Sequence, residues 1–150
     1  RVRERLYGVT RGSDGTELLD ASRIHLAALQ AVKGRPVADC KAAMATGRLP
    51  PGVSLPEKAR ALERNLAARL AEQGKLGVPP RREAASAMVP GVVIGRVMEE
   101  TGFSQVIVHD VMSNKGTDTQ KCAVVRALLR ATLAGGGLTR EQQAAILKTL

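Results

Sequence analysis

Two histidines and a neighbouring aspartate are the residues of this chain whose types could support acid–base catalysis. His25, His109 and Asp110 carry the imidazole and carboxylate groups that such chemistry uses. His109 and Asp110 are adjacent, so on a helix their side chains point about 100° apart and form no dyad by themselves. We expect both histidines to be structural or exposed, and no catalytic residue is predicted.

The two cysteines, Cys40 and Cys122, could serve as a nucleophile, as metal ligands or as a disulfide. A cysteine nucleophile needs a partner base and an accessible electropositive setting, whereas both residues lie in apolar helical patterns. The chain has no C-x-x-C motif, so neither a structural zinc site nor any other cofactor is predicted. We expect two free core residues; a disulfide between them stays open, because sequence alone does not reveal its geometry.

Two glycine-rich stretches, residues 12–15 and 135–139, have the composition of phosphate-binding loops. Neither has the G-x-x-x-x-G-K-[ST] spacing that a nucleotide site requires. The second ends at a predicted helix N-terminus, whose free N–H groups can hold an anion. We interpret the first as a turn and the second as a flexible joint. Glu99 and Glu100 show no metal-ligand spacing and are interpreted as a solvated helix end.

Positive charge is the strongest functional signal in the sequence. Lys and Arg number 23 against 14 Asp and Glu, a net charge of +9 that favours polyanionic partners. An ordinary solvated arginine surface, or a genome rich in arginine codons, would give the same excess. With one Tyr, one Phe and no Trp, stacking on single-stranded bases is disfavoured and phosphate contact is expected. The candidate nucleic-acid-binding residues are Arg60, Arg64, Arg81, Arg82, Arg126 and Arg130.

The elements that must position these residues are predicted to be helices. Scarce aromatic residues and abundant Ala favour an all-α bundle of about six or seven short helices. Residues 1–19 are the exception, because a short apolar stretch on each side of an Asp-Gly turn predicts a small β-hairpin or a loop.

The remaining N-terminal half predicts three helices. The first spans 21–33, with Asp20 or Ser22 as its N-cap, and a short one follows over 36–47. The next has Ser54 and Glu57 as a capping box. Its apolar stripe recurs at helical spacing and consists of Leu55, Ala59, Leu62, Leu66 and Leu70.

The C-terminal half contains a second strong helical pattern. A helix over 118–134, capped by Thr117 or Thr119, is apolar on two faces and should lie centrally. Around it we predict a helix from about 82 to 89, another over 92–98, a third over 105–112 despite its strand-like composition, and a last one over 141–150. Ser104 should cap the third of these, and Thr139 with Gln142 should form a capping box for the last.

We expect a single helical domain over 1–150 that belongs to a longer chain, with a subdomain boundary near 49–53. No apolar run approaches the ~20 residues that span a bilayer, so we expect a soluble protein, cytoplasmic or nuclear/nucleoid rather than secreted. The leading hypothesis is a non-catalytic module that contacts the nucleic-acid backbone. The alternative is a helical adaptor domain with an acidic or helical protein partner, docked on the alanine-lined back of the Leu55–Leu70 helix.

Overall fold

The computed structural model describes residues 2–10, 15–76 and 88–150. These ranges are helical without any strand, which confirms the all-α prediction. The helices are α1 (Val2–Thr10), α2 (Thr16–Ala31), α3 (Val37–Thr46), α4 (Glu57–Glu72), α5 (Gly91–Thr101), α6 (Gln105–Met112), α7 (Asp118–Ala134) and α8 (Arg140–Thr149). The predicted helix over 82–89 lies mostly outside the described residues, as do Arg81 and Arg82.

The N-terminal segment is helical, so the suggested β-hairpin is not present in the described residues. Leu6 and Tyr7, which the sequence placed in a hairpin or a loop, are buried in α1, which packs against α2 and α3. A two-stranded hairpin gains little stability alone, whereas a helix buries these side chains and satisfies its own backbone. Because α2 already begins at Thr16, the predicted caps Asp20 and Ser22 lie within it and are buried.

Two clusters of buried side chains form the interior. The first core lies between α1, α2, α3, α4, α7 and α8, and includes Leu6, Ile24, Leu29, Leu66 and Leu129. The second core lies between α5, α6 and α7, and includes Val93, Val97, Val108, Val124 and Leu128. Helices α3 and α4, on either side of residues 49–53, both pack on α2; the subdomain boundary stays a prediction.

Helix α7 is the central element, as its two apolar faces predict. Leu129 faces the first core and Leu128 the second, so one helix supplies side chains to both. Its contacts extend to α2, α3, α5, α6 and α8. Thr117 and Gln120 form a capping box at its start, and Gly135 ends it in the left-handed conformation.

The predicted caps of α6 and α8 are confirmed. Ser104 Oγ accepts the Ile107 N–H at 3.3 Å, so residues 105–112 are helical despite their β-branched side chains. Thr139 and Gln142 form the expected capping box.

The start of α4 differs from the prediction. Pro56 is its N-cap, without a side-chain cap hydrogen bond, so the predicted box of Ser54 with Glu57 is wrong. The Glu57 carboxylate binds arginines of its own helix instead of the backbone. The predicted apolar stripe is only partly buried. Leu66 is fully buried and Leu62 partly buried, whereas Leu55 is buried but lies in the segment before the helix.

Cys40 and Cys122 form a disulfide, so the expectation of two free cysteines is wrong. Cys40 lies on α3 and Cys122 on α7, with their Cα atoms 6.2 Å apart across 82 residues of sequence. Both are buried in the first core, as expected. The Lys41–Asp118 ion pair, 3.3 Å, joins the same two helices.

None of the described helices is both long and apolar enough to cross a membrane.

Candidate functional site

Three arginines from distant parts of the sequence line one open groove of about 470 Å³. Arg3 comes from α1, Arg48 from the segment after α3, and Arg60 from α4. We call this cavity the arginine groove. Its other lining residues are Thr46, Gly47, Leu49, Val53, Ser54, Leu55 and Glu63. Glu63 is the one carboxylate among these described residues, so the groove carries net positive charge.

Gly47 permits the close approach of α1 to the end of α3. It ends α3 with φ 72°, a conformation that favours glycine. A Cβ atom here would lie 2.8 Å from the Tyr7 hydroxyl and 3.0 Å from the Arg3 side chain. The groove therefore depends on a residue without a side chain at this position.

Arg3 is held in place at one wall of the groove. Its Nε donates to Glu63 on α4 at 2.6 Å, and its Nη1 donates to the Gly47 carbonyl at 2.9 Å. Since this guanidinium joins α1 to the end of α3 and to α4, it holds the walls of the groove together, and Glu63 balances its charge.

Tyr7 and His25 form a buried aromatic pair. The Tyr7 and His25 ring centroids are 4.7 Å apart, and His25 Nε2 lies 3.1 Å from the Met44 carbonyl oxygen. Burial raises the pKa of Tyr7, and its hydroxyl has no hydrogen-bond partner within the described structure. His25 is thus buried in packing, whereas His109 is exposed on α6, where Nε2 lies 3.4 Å from Gln105 Nε2.

Arg60 and Arg64, two of the predicted binding residues, are exposed and share one partner. The Glu57 carboxylate forms an ion pair with each of them: its oxygens lie 2.7 Å from Arg60 Nη2 and 3.0 Å from Arg64 Nη2. The hydrogen bond from Arg64 and the charge of Arg60 hold the pKa of Glu57 below its ordinary value. We call Glu57, Arg60 and Arg64 the α4 triad; it adjoins the arginine groove through Arg60.

Arg126 and Arg130 lie elsewhere, on α7. Arg130 pairs with Glu100 of α5 at 2.9 Å and lines a second open groove of about 480 Å³. Arg126 is half-buried, donates to the Leu29 carbonyl at 3.3 Å, and has its pKa lowered by burial. These two groups are engaged within the fold and do not share a groove with Arg60.

The second groove has a mixed charge. Its lining includes two arginines, Arg96 and Arg130, and two glutamates, Glu99 and Glu100. Such a surface has no net attraction for a polyanion, in contrast to the arginine groove.

The candidate binding residues predicted from the sequence did not include Arg3, Arg48 or Glu63. No local pattern connects these residues, because Arg3 lies 44 positions from its partner Gly47 and 60 positions from its partner Glu63. Gly47 is the only local signal, since it marks the end of a predicted helix.

Comparisons with protein-family models, with curated proteins and with solved structures gave no significant match for this chain.

Proposed function

We propose that this domain is a non-catalytic module that binds the phosphate backbone of nucleic acid through the arginine groove and the α4 triad. The observation that supports the proposal is that Arg3, Arg48 and Arg60, from three segments, line one groove in which Glu63 is the single lining carboxylate. Planar guanidinium groups can each donate to two phosphate oxygens, so several in one groove suit a phosphate-bearing chain.

The chemistry of the groove favours phosphate contact over base recognition. It has no aromatic residue on which a base could stack, and its buried floor residue is Leu55. Contacts of this kind position a nucleic acid and supply affinity without reading sequence. A duplex, which presents regularly spaced phosphates, is the expected ligand.

A salt titration of duplex binding tests the proposal. Replacing Arg48 and Arg60 by Ala should weaken binding similarly for unrelated duplex sequences. It should also make the plot of log affinity against log salt shallower by up to about two units, because the variant neutralises fewer phosphates and therefore releases fewer counterions on binding. The measurement is fluorescence anisotropy of labelled duplex at several salt concentrations.

The matched control removes the same charge elsewhere. Arg35 and Arg140 are exposed and do not line the groove, so their double Ala variant should keep the parent slope. Equal weakening by both double variants would indicate general attraction to a protein of charge +9. If the Arg48/Arg60 double variant binds duplex with the salt slope of the parent, the binding site lies elsewhere, and Arg81 and Arg82 become the next candidates.

The absence of duplex binding even at low salt would favour the alternative, a helical adaptor with an acidic or helical protein partner. Exposed Ala68 and Ala71 on α4 are the surface that such a helix would meet. A nucleic-acid ligand implies a cytoplasmic or nuclear/nucleoid location, whereas disulfides such as Cys40–Cys122 persist mainly in oxidising compartments. Binding should therefore be measured on both the oxidised and the reduced protein.

A further inference from the structure

The α4 triad contains two guanidinium groups that converge on one small anion. Each oxygen of the Glu57 carboxylate has its own arginine: Oε2 lies 2.7 Å from Arg60 Nη2, and Oε1 lies 3.0 Å from Arg64 Nη2. The two arginines are one helical turn apart, so both can reach the same point above the α4 surface.

A phosphate group offers the same features as this carboxylate, namely negative charge and oxygens that accept from guanidinium N–H groups. We infer that Arg60 and Arg64 form an anion site, that Glu57 occupies it in the free protein, and that a phosphate group displaces Glu57 on binding. This inference rests on the proposed function for the identity of the ligand, since it takes phosphate as the incoming anion.

Displacement is feasible because nothing buried has to move. The side chains of Arg60, Arg64 and Glu57 are 51%, 65% and 66% exposed, and ion pairs this open to solvent contribute little stability. Glu57 is also the first residue of α4, where a carboxylate is favoured by the helix dipole even without its arginines. The displaced side chain can therefore turn into solvent at small cost.

Glu57 then determines how strongly the site binds. While its carboxylate is present, an incoming phosphate must compete with an anion already attached to the helix. Replacing Glu57 by Gln keeps the size of the side chain but removes the competing charge. Phosphate affinity should rise about threefold to tenfold, the factor expected for two exposed ion pairs.

The control variant is Glu72→Gln. Glu72 is exposed on the same helix and has no ion pair within the described structure, so its replacement gives the same change in net charge. A rise in affinity that is confined to Glu57→Gln would report on the triad, and not on overall charge.

The experiment follows the side-chain Nε–Hε resonances of Arg60 and Arg64 by NMR during titration with inorganic phosphate. Phosphate should shift both resonances, at a concentration about threefold to tenfold lower in Glu57→Gln than in the parent or in Glu72→Gln. Equal half-saturation in Glu57→Gln and the parent, or an equal gain in Glu72→Gln, would overturn the inference.

Duplex titration of the same three proteins separates this inference from the proposed function. Glu57→Gln should bind duplex more tightly than Glu72→Gln, with a similar salt slope, because phosphate contacts Arg60 and Arg64 in both complexes. If no variant binds duplex while the phosphate result holds, the proposed function fails and the anion site stands. If duplex binds all three proteins equally, the groove retains its function and the inference about Glu57 fails.

Discussion

Gly47 shows how a single hydrogen atom in place of a side chain lets two segments meet. Its φ of 72° and the Tyr7 hydroxyl both oppose a Cβ atom at this position. Gly52, in the segment that leads to α4, has a φ of 81° but no atom within 4 Å of the corresponding Cβ position. The pair therefore separates the cost of backbone conformation from the cost of the close approach.

Replacing Gly47 by Ala should lower the free energy of unfolding more than replacing Gly52 by Ala. Left-handed backbone costs a non-glycine residue about 1–2 kcal/mol, and Gly52→Ala should lose about that amount. Gly47→Ala should lose at least about 1 kcal/mol more, because the contact with Tyr7 forces a shift in a packed region. Urea unfolding of the two variants provides the measurement. An equal decrease in the free energy of unfolding would show that α1 leaves room for a Cβ atom at position 47.

At the scale of elements, α4 depends on fewer apolar residues than its sequence stripe suggests. Leu66 and Leu70 are buried in the first core, whereas Leu62 and Ala59 are only partly buried at its edge. A partly buried ion pair also helps to hold the helix: the buried carboxylate of Asp20 on α2 pairs with Arg69 of α4 as well as with Arg23, and both arginines are partly exposed. The attachment of α4 to α2 therefore combines one apolar centre with a charged contact near its C-terminal end.

Replacing Leu66 by Ala should reduce the free energy of unfolding by about 2–5 kcal/mol, the usual cost of removing a large buried side chain. Leu62→Ala should cost less, because part of that side chain already contacts solvent. Both values come from chemical denaturation followed by circular dichroism. If Leu62→Ala cost as much as Leu66→Ala, the edge of the core would lie farther out than the structure places it.

At the scale of the whole molecule, the disulfide joins two helices that the rest of the fold brings together. It connects α3, whose end forms a wall of the arginine groove, to the central helix α7. Because 82 positions separate the two cysteines, the cross-link restricts a large part of the unfolded chain. Its contribution is therefore expected to be large for a domain of this size.

Reduction of Cys40–Cys122 should lower the free energy of unfolding by about 4 kcal/mol according to the loop-entropy relation. The corresponding fall in Tm is roughly 10 °C for a domain of this length. This expectation replaces the one for free cysteines, under which a reductant would have no effect. Thermal unfolding with and without a thiol reductant provides the measurement.

A Cys40→Ser/Cys122→Ser variant is the control, and its Tm should not respond to the reductant. A chelator should leave the Tm of the oxidised protein unchanged, since no metal site is predicted. If the reductant leaves the Tm of the parent protein unchanged, the cross-link is not formed in solution.

Local patterns in the sequence determined the elements that depend on near neighbours. The ends of α7, the caps of α6 and α8, and the two apolar faces of α7 all arise from residues within a few positions of one another. Helical hydrogen bonds and caps have that same short range, which is why these predictions succeeded.

Only the tertiary structure decided what required distant partners. Leu6 and Tyr7 lie in a helix that packs against α2 and α3. The N-cap of α4 is Pro56, and no side-chain hydrogen bond caps this helix. The arginine groove and the disulfide join segments that no periodic pattern relates. Their geometry follows from how helices pack around α2 and α7, and side-chain burial summed over the whole core sets that packing.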